Sequence, residues 1–359
     1  MTTPADPTLL AQPRAHRSLE RLLDEGRCHA LLLSGVHGSG PKAAAARIAE
    51  RTLCPNGGGD GCDVCRRVAR HVHPDLHWIA PEGGSLAIDQ IREVVDVVSR
   101  MPFEAAAQVV VIESADTLSS DNAEAGNSLL KALEEPLGRV VFVLLAERAP
   151  RVLPTIRSRA IEVAFPPISD ARLVEALEAS GLDAGKVAAA TGMDLASISR
   201  ASRGDLARAL EIANGDAAAQ RRGDLLTAMH AVASGSMAPS QLANRVLGRA
   251  GAASDAAAAA ATVEFEAMIE RMSAAEKRTF TSKSNEQGQE KRTARRARKA
   301  RIAELRACLD ELAGWWRDVL AVTAGAPEAV SNIDRISQIE QAAAGPAGTR
   351  AVPALDAID

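Results

Sequence analysis

The sequence predicts an α/β fold: a P-loop-type core with a parallel sheet, followed by a small helical lid and an all-α collar. The observations behind this are the pattern of apolar runs, the helical periodicity between them, and their abrupt end. Five short apolar runs, Ala30 to Leu33, Leu76 to Ala80, Val109 to Ile112, Val140 to Leu145 and Ala160 to Phe165, lie in the first half of the 359 residues. Unbroken apolar runs of this length read as strands buried on both faces, and helices between them make the pairing parallel. After Pro166-Pro167 the runs stop, and a Pro-Pro pair continues neither a helix nor a central strand.

In chain order, Ala30 to Leu33 leads into a Gly-rich loop and an Ala-rich segment. Ile88 to Ser99 places Ile88, Ile91, Val94, Val95 and Val98 at helical spacing after the turn-forming Gly83-Gly84. Ser120 to Glu135 reads as a helix closed by Pro136 and Gly138. Beyond the prolines come short helices, Ala171 to Ser180, Ala184 to Thr191, Asp194 to Ser202 and Asp205 to Ile212. From about Asp216 the helices lengthen, with a polar interruption at Thr279 to Gln289 and Trp315-Trp316 in the most apolar late helix. The expected domains are therefore 1–166, 167–215 and 216–345, with 346–359 as a flexible tail.

Composition narrows the function classes. A net charge of −4 argues against a surface that neutralises nucleic acid as a whole, although a local basic patch is compatible with it. No apolar run approaches the roughly 20 residues of a membrane span, and the start MTTPADPTLL lacks the basic-then-apolar pattern of a secretory leader. A cytoplasmic protein without membrane contact is expected. The five cysteines are odd in number with three clustered, which fits a reducing compartment and a metal better than a disulfide framework. Tyrosine is absent and aromatics make up 2%, so base-stacking platforms are not expected.

Four motifs carry candidate chemistry. The first is Gly35-Val36-His37-Gly38-Ser39-Gly40-Pro41-Lys42, a strand–glycine–helix context that aims backbone N–H groups at phosphate. A P-loop places lysine directly after the last glycine and Ser or Thr next; here Pro41 stands first and Lys42 is shifted by one, onto another helix face. Ordinary nucleotide binding, a plain turn and a decayed P-loop all stay open. The second is the run "VVVIESAD", which puts acidic Glu113 where magnesium would be held but Ser114 where a water-activating glutamate belongs. The third is Cys54, Cys62 and Cys65 in a Gly-rich loop, three of the four ligands that tetrahedral zinc needs, with Asp60, His71 or His73 able to complete the set and a metal-free loop as the alternative. Cys28 and Cys308 read as packed thiols. Last, Lys291 to Arg301 holds seven basic residues in eleven, which reads either as a solvated face paired with acids such as Glu286, Glu290 and Glu304 or as a helix on phosphates.

The stretches "HPDLHWIAPEGGSLAIDQIREVV", "VVVIESADTLSSDNAEAGNSLLKALEEP" and "LPTIRSR" fall in the order and spacing of the bacterial clamp-loader AAA+ subunits, and the chain resembles that family over about residues 8 to 215. Asn127 to Pro136, "NSLLKALEEP", is the most specific piece. Within the family the resemblance is to the non-hydrolysing delta-prime branch of the DNA polymerase III clamp loader. Four ATPase elements depart from the hydrolysing pattern: Pro41, Ser114, Glu147 in place of a γ-phosphate-sensing Thr, and Ala207 in place of the lid arginine, with Arg208 one step later. Ser158-Arg159-Ala160 keeps the arginine of the family's Ser-Arg-Cys motif.

The resemblance implies that Arg159, next to Ser158, acts in trans as an arginine finger on a neighbour's ATP, with ATP not bound productively at Gly35, Gly38, Gly40 and Lys42. It implies delta and gamma/tau motor subunits as partners, and the sliding clamp and primed DNA through the complex. The chain would thus be a part of the DNA polymerase holoenzyme without an ATPase of its own. The family's zinc loop has four cysteines, and aligning Cys65 with the last of them puts Gly59 at the second position; Asp60 or His71 would then substitute. Two rival readings remain at this level, an active ATPase using Lys42 and a free-standing DNA-binding protein using Lys291 to Arg301.

Overall fold

The five apolar runs form one parallel sheet of β1 Ala30–Gly35, β2 Leu76–Ile79, β3 Gln108–Ile112, β4 Val140–Ala146 and β5 Ile161–Phe165. Their spatial order is β2-β3-β4-β1-β5. Leu33 pairs with Leu145 on one side and Val163 on the other. The computed structural model describes residues 6–26, 29–81, 86–118, 123–134, 138–215, 217–270 and 283–357. It divides into two units, Met1–Asn214 and Gly215–Asp359. Cys28, Gly83, Gly84, Ser120 and Pro136, singled out in the sequence, lie outside the described residues.

In the first unit the helices are α1 Pro7–Leu10, α2 Pro13–Asp24, α3 Pro41–Leu53, α4 Asp63–Ala69, α5 Ile88–Val98, α6 Ala123–Glu134, α7 Pro154–Arg157, α8 Asp170–Ala179, α9 Ala184–Thr191, α10 Leu195–Ser202 and α11 Leu206–Ala213. Because side chains alternate along a strand, the sheet feeds two cores. Leu31, Leu33, Val109, Val111, Val141 and Val143 pack with Leu19 of α2 and Ala44, Ala45, Ile48 and Ala49 of α3. Ala30, Leu32, Val110, Ile112, Phe142 and Leu144 meet Ile91, Val94 and Val98 of α5 and Leu129 and Leu133 of α6. Each fully buried Leu, Ile or Phe contributes about 1.5–3 kcal/mol. The alanines of α3 let its axis lie close over β1, which brings its first turn to the end of that strand.

Burial on both faces describes β1, β3 and β4, whereas β5 departs from it: only Val163 and Phe165 are buried. The reason is position, since β5 is an edge strand with one neighbour and its other residues face outward. Asp183, Asp194 and Asp205 each accept from a backbone N–H three residues on and so cap α9, α10 and α11.

The second unit contains α12 Ala217–Ala233, α13 Pro239–Glu270, α14 Lys283–Thr323, α15 Ile336–Ala344 and α16 Pro346–Asp356. Trp315 and Val319 of α14 are fully buried with Leu226, Met229, Val330 and Ile339. One sequence expectation is corrected here and one is met only in part. Of the polar stretch Thr279 to Gln289, residues 279–282 lie outside the described residues, and Lys283 to Gln289 belong to α14. The segment expected as a flexible tail is α16, which starts on Pro346 and buries Ala347, Gly348 and Ala351; small residues let it pack closely, since a Cβ on Gly348 would stand 2.3 Å from the Ala343 carbonyl oxygen. Cys308 is a buried free thiol, pushed up to about 11 by burial and by Glu304. Among the described residues no helix is long and apolar enough to cross a membrane.

Candidate functional site

A cavity of about 480 Å³ opens at the carboxyl ends of β1, β3 and β4, where open parallel sheets generally hold ligands. Gly35 ends β1, residues 36–40 turn, and Pro41 is the first residue of α3. Gly38 and Gly40 sit at φ +70° and +131°, a region open to glycine. The turn is pinned from beneath. Ser39 is fully buried, with its hydroxyl in reach of the Val36 and Phe165 carbonyls at 2.7 and 3.0 Å. The Gln12 amide donates to the Ser39 and Pro166 carbonyls at 2.9 and 2.5 Å.

Lys42 corrects the sequence reading. It lines this cavity and does not point to another face, its Nζ lying 3.0 Å from Glu113 Oε1. In the first turn of a helix the side chains lean toward the N-terminus, which lets a long side chain two residues past Gly40 reach over the strand ends. Glu113 Oε1 also accepts from Trp78 Nε1 at 2.6 Å, so the carboxylate is doubly engaged. Trp78 in turn stacks on His71 at 4.1 Å and 12°, and burial holds the His71 imidazole below its usual range.

The helices after the prolines close onto the loop. Asp205, the cap of α11, accepts from the Arg208 amide at 2.9 Å and from His37 Nδ1 at 3.0 Å. The Leu206 amide donates to the Gly38 carbonyl at 3.4 Å. A Cβ on Gly38 would lie 1.7 Å from Asp205 Oδ1, so the carboxylate rests against the glycine turn itself. The hydrogen bond to Asp205 raises the His37 pKa above its ordinary value. Asp6, Glu113 and Glu147 line the cavity against a single lysine, and Ala207 lines it at the lid. Pro41 offers no N–H. The cavity keeps the strand–glycine–helix frame of a P-loop, with Lys42 and His37 among the basic groups on its wall.

Sequence reasoning did not identify Asp205, Gln12 or Trp78 as parts of this site. Asp205 was visible as a helix cap, but its partner His37 is 168 residues away.

The cysteine loop is brought together. Cys54, Asp60, Cys62 and Cys65 each offer a ligand atom, all within 4.8 Å of one another. Cys54 Sγ and Cys62 Sγ are 3.6 Å apart, and Cys65 Sγ is 3.2 Å from Asp60 Oδ1. Tetrahedral zinc with bonds of about 2.3 Å to sulfur sets sulfurs about 3.8 Å apart, so the donor set fits the ion. The Asn56 amide donates to the other Asp60 oxygen at 2.6 Å, an outer-shell contact of the kind that orients ligands. Hydrogen bonds from Asn56 and Cys62 hold Asp60 well below the usual carboxylate range. Burial and Asp60 push the Cys65 thiol up to about 12, a value that a bound cation would invert. His71 lies at the other cavity on Trp78, and His73 is buried against Glu104 at 2.9 Å. Of the candidates for a fourth ligand, the fold brings Asp60 to the thiols.

Arg159 follows α7 and does not line the cavity. Its guanidinium donates to the Thr155 carbonyl at 2.9 Å, to Ser158 Oγ at 3.4 Å and to the Glu134 carboxylate at the end of α6. Its side chain is 37% exposed. The arginine is held in place yet open to solvent.

Residues 11–169 match the family model described as "DNA polymerase III, delta subunit". The curated protein "DNA polymerase III subunit delta'" of Bacillus subtilis is 36% identical over 46% of this chain and 51% of its own length. The proteins of the same name from Pseudomonas aeruginosa and Escherichia coli K12 are 36% and 34% identical, over 38% and 36% of this chain and 43% and 40% of theirs. The chain spans about half the length, or less, of the curated relatives it matches.

Proposed function

We propose that this chain, which over residues 11–169 belongs with the delta-prime subunits of DNA polymerase III, is a clamp-loader subunit that leaves ATP hydrolysis to its neighbours and supplies Arg159 to one of them. The observation that carries this reading is the contrast between two sites. The chain's own cavity has its lysine paired with Glu113 and its glycine turn covered by Asp205. Arg159 is solvent-facing, pre-positioned by Thr155, Ser158 and Glu134, and outside that cavity. A planar fork held by three acceptors loses little freedom when it meets a phosphate. As charge spreads over the transferring phosphoryl group of a neighbour's ATP, such an arginine stabilises it, an effect worth about 10³- to 10⁵-fold in turnover.

In this reading the partners are delta and gamma/tau motor subunits, and the sliding clamp and primed DNA are met through the complex. The role of the chain is geometric and electrostatic. Cys54, Cys62, Cys65 and Asp60 would hold zinc, which when bound supplies a fixed tetrahedral tie for the Gly-rich loop.

The test is the clamp- and DNA-stimulated ATPase of the reconstituted complex carrying Arg159→Ala. Assembly and melting temperature are expected to be unchanged, with turnover at the neighbouring site lower by about 10³-fold. Arg159→Lys is expected to recover little of it, since an ammonium lacks the fork. Unchanged turnover in a fully assembled Arg159→Ala complex would overturn the proposal. ATP hydrolysis by the isolated chain, lost in Lys42→Ala, would favour the reading in which Lys42 serves a site of its own.

A further inference from the structure

We propose that the outward face of α14 between Lys291 and Arg301 binds the phosphate backbone of duplex DNA. Nothing in the Arg159 reading uses this surface, and the contact needs neither nucleotide nor Arg159.

The face is built by helical geometry. Lys291, Arg292, Arg295, Arg296, Arg298, Lys299 and Arg301 are all exposed, while Thr293, Ala297 and Ala300 between them are half-buried. At about 100° per residue the three half-buried positions fall within roughly 60° of the helix surface, and the seven cations occupy roughly 220° of the remainder. α14 packs against α13, and across that pairing Arg296 meets Glu264 at 2.5 Å. Arg292, Arg295 and Arg296 border the groove shared with Glu264, Phe265 and Met268 of α13, and Lys291, Arg298, Lys299 and Arg301 lie outside it.

A solvated, internally paired face requires acids three or four residues from the cations, and these are missing. No Asp or Glu occurs from Lys291 to Ala303. Glu290 has Thr293 and Ala294 at those offsets. Glu304, three residues past Arg301, is committed to Arg221 at 2.9 Å and Arg249 at 3.1 Å. Among the described residues, Lys291, Arg292, Arg298, Lys299 and Arg301 have no carboxylate within ion-pair distance. A chain of net charge −4 thus concentrates unneutralised positive charge on one rigid rod.

The chemistry selects the partner. Ten residue rises cover about 15 Å, along which duplex DNA presents roughly nine phosphate charges. The run contains Lys, Arg, Ala and one Thr, with no aromatic ring to stack on unpaired bases and no Asn or Gln to read base edges. A membrane-surface helix needs an apolar face free to enter lipid, but the face opposite the cations lies on α13. What remains is sequence-independent contact with a stiff, dense row of phosphates.

The experiment measures binding of the full chain to a fluorescently labelled 20-base-pair duplex of arbitrary sequence by anisotropy, between about 50 and 200 mM salt. Four to five phosphate contacts predict a log–log salt slope near −4, at about −0.9 per contact. The combined variant Lys291→Gln, Arg292→Gln, Arg298→Gln and Lys299→Gln is expected to bring that slope to within about one unit of zero. Its melting temperature should not change, because all four side chains are exposed. Arg14→Gln with Arg17→Gln, on α2, is expected to leave duplex binding as it was. A chain that does not bind the duplex at 50 mM salt, a quadruple variant that binds with the original slope, or binding to anionic phosphatidylserine vesicles without binding to duplex would each overturn the proposal.

Discussion

Gly38→Ala tests how the glycine turn and the lid are coupled. Gly38 sits at φ +70°, where an L-residue costs about 1–2 kcal/mol. The new Cβ would stand 1.7 Å from Asp205 Oδ1, far inside contact distance, so the carboxylate must leave. It then gives up its cap on the Arg208 amide, about 1 kcal/mol, and its exposed pair with His37, at most about 1 kcal/mol. The sum is about 2–4 kcal/mol. Spread over a unit of residues 1–214, that corresponds to a fall of roughly 5–15 °C in melting temperature. Asp205→Ala alone loses the cap and the pair, about 1–2 kcal/mol. In that background Gly38→Ala meets no carboxylate and costs only the backbone part. Urea unfolding of the two single variants and the double variant should therefore show a coupling of about 1–2 kcal/mol, the double being milder than the sum. Additivity within about 0.5 kcal/mol would refute the contact. The His37 share also has a pH signature. Because Asp205 raises the His37 pKa in the folded chain, the pair's contribution is complete below the ordinary histidine value of 6.5. It fades as pH climbs through the raised value, so the difference between the parent chain and His37→Ala should shrink from pH 6 to pH 8.

Two further predictions concern the metal loop and the second unit. The purified chain is expected to carry one zinc by elemental analysis, Cys62→Ser and Asp60→Ala to carry much less, and chelation to lower the melting temperature; zinc content well under one per chain in the parent would refute the site. In the second unit Arg222, buried with Asp334 at 2.5 Å and Asn332 at 2.9 Å, is expected to destabilise by about 3 kcal/mol when changed to Ala, because it leaves the shielded Asp334 carboxylate with only Arg335 at 3.5 Å. Denaturant unfolding measures this, and a loss under 1 kcal/mol would refute the role.

How much was legible follows from the range of each interaction. Strands β1, β3 and β4 could be read because apolar runs bounded by polar turns leave few alternatives, and α9 to α11 because an Asp cap marks each start within three residues. The edge character of β5 was legible only in part: Glu162 interrupts the apolar run, but the exposure of Ile161 and Ala164 depends on which neighbour is missing. At the cavity, Pro41 and Ser114 were plain substitutions in a known frame. The direction of Lys42 was misread because a shift of one residue looked like a change of face, when the side chain's length and the start of α3 decide where the ammonium goes. The choice between Asp60 and His71 was likewise open in the sequence. Spacing allowed both, and the stacking of His71 on Trp78 separates them.

The sequence alone determined the order and kind of elements, the presence of Pro41 and Ser114 at P-loop and second-strand motif positions, and the basic run, because each rests on local chemistry: periodicity, turn residues, and the identity of a side chain at a motif position. Tertiary structure alone decided that Asp205 lies on Gly38, that Asp60 joins three thiols, that Arg159 stands outside its own chain's cavity, and which cations of α14 border α13 and which do not. These are contacts between residues far apart along the chain or choices among equally spaced neighbours. Their energies depend on distance and burial, which packing sets and composition does not.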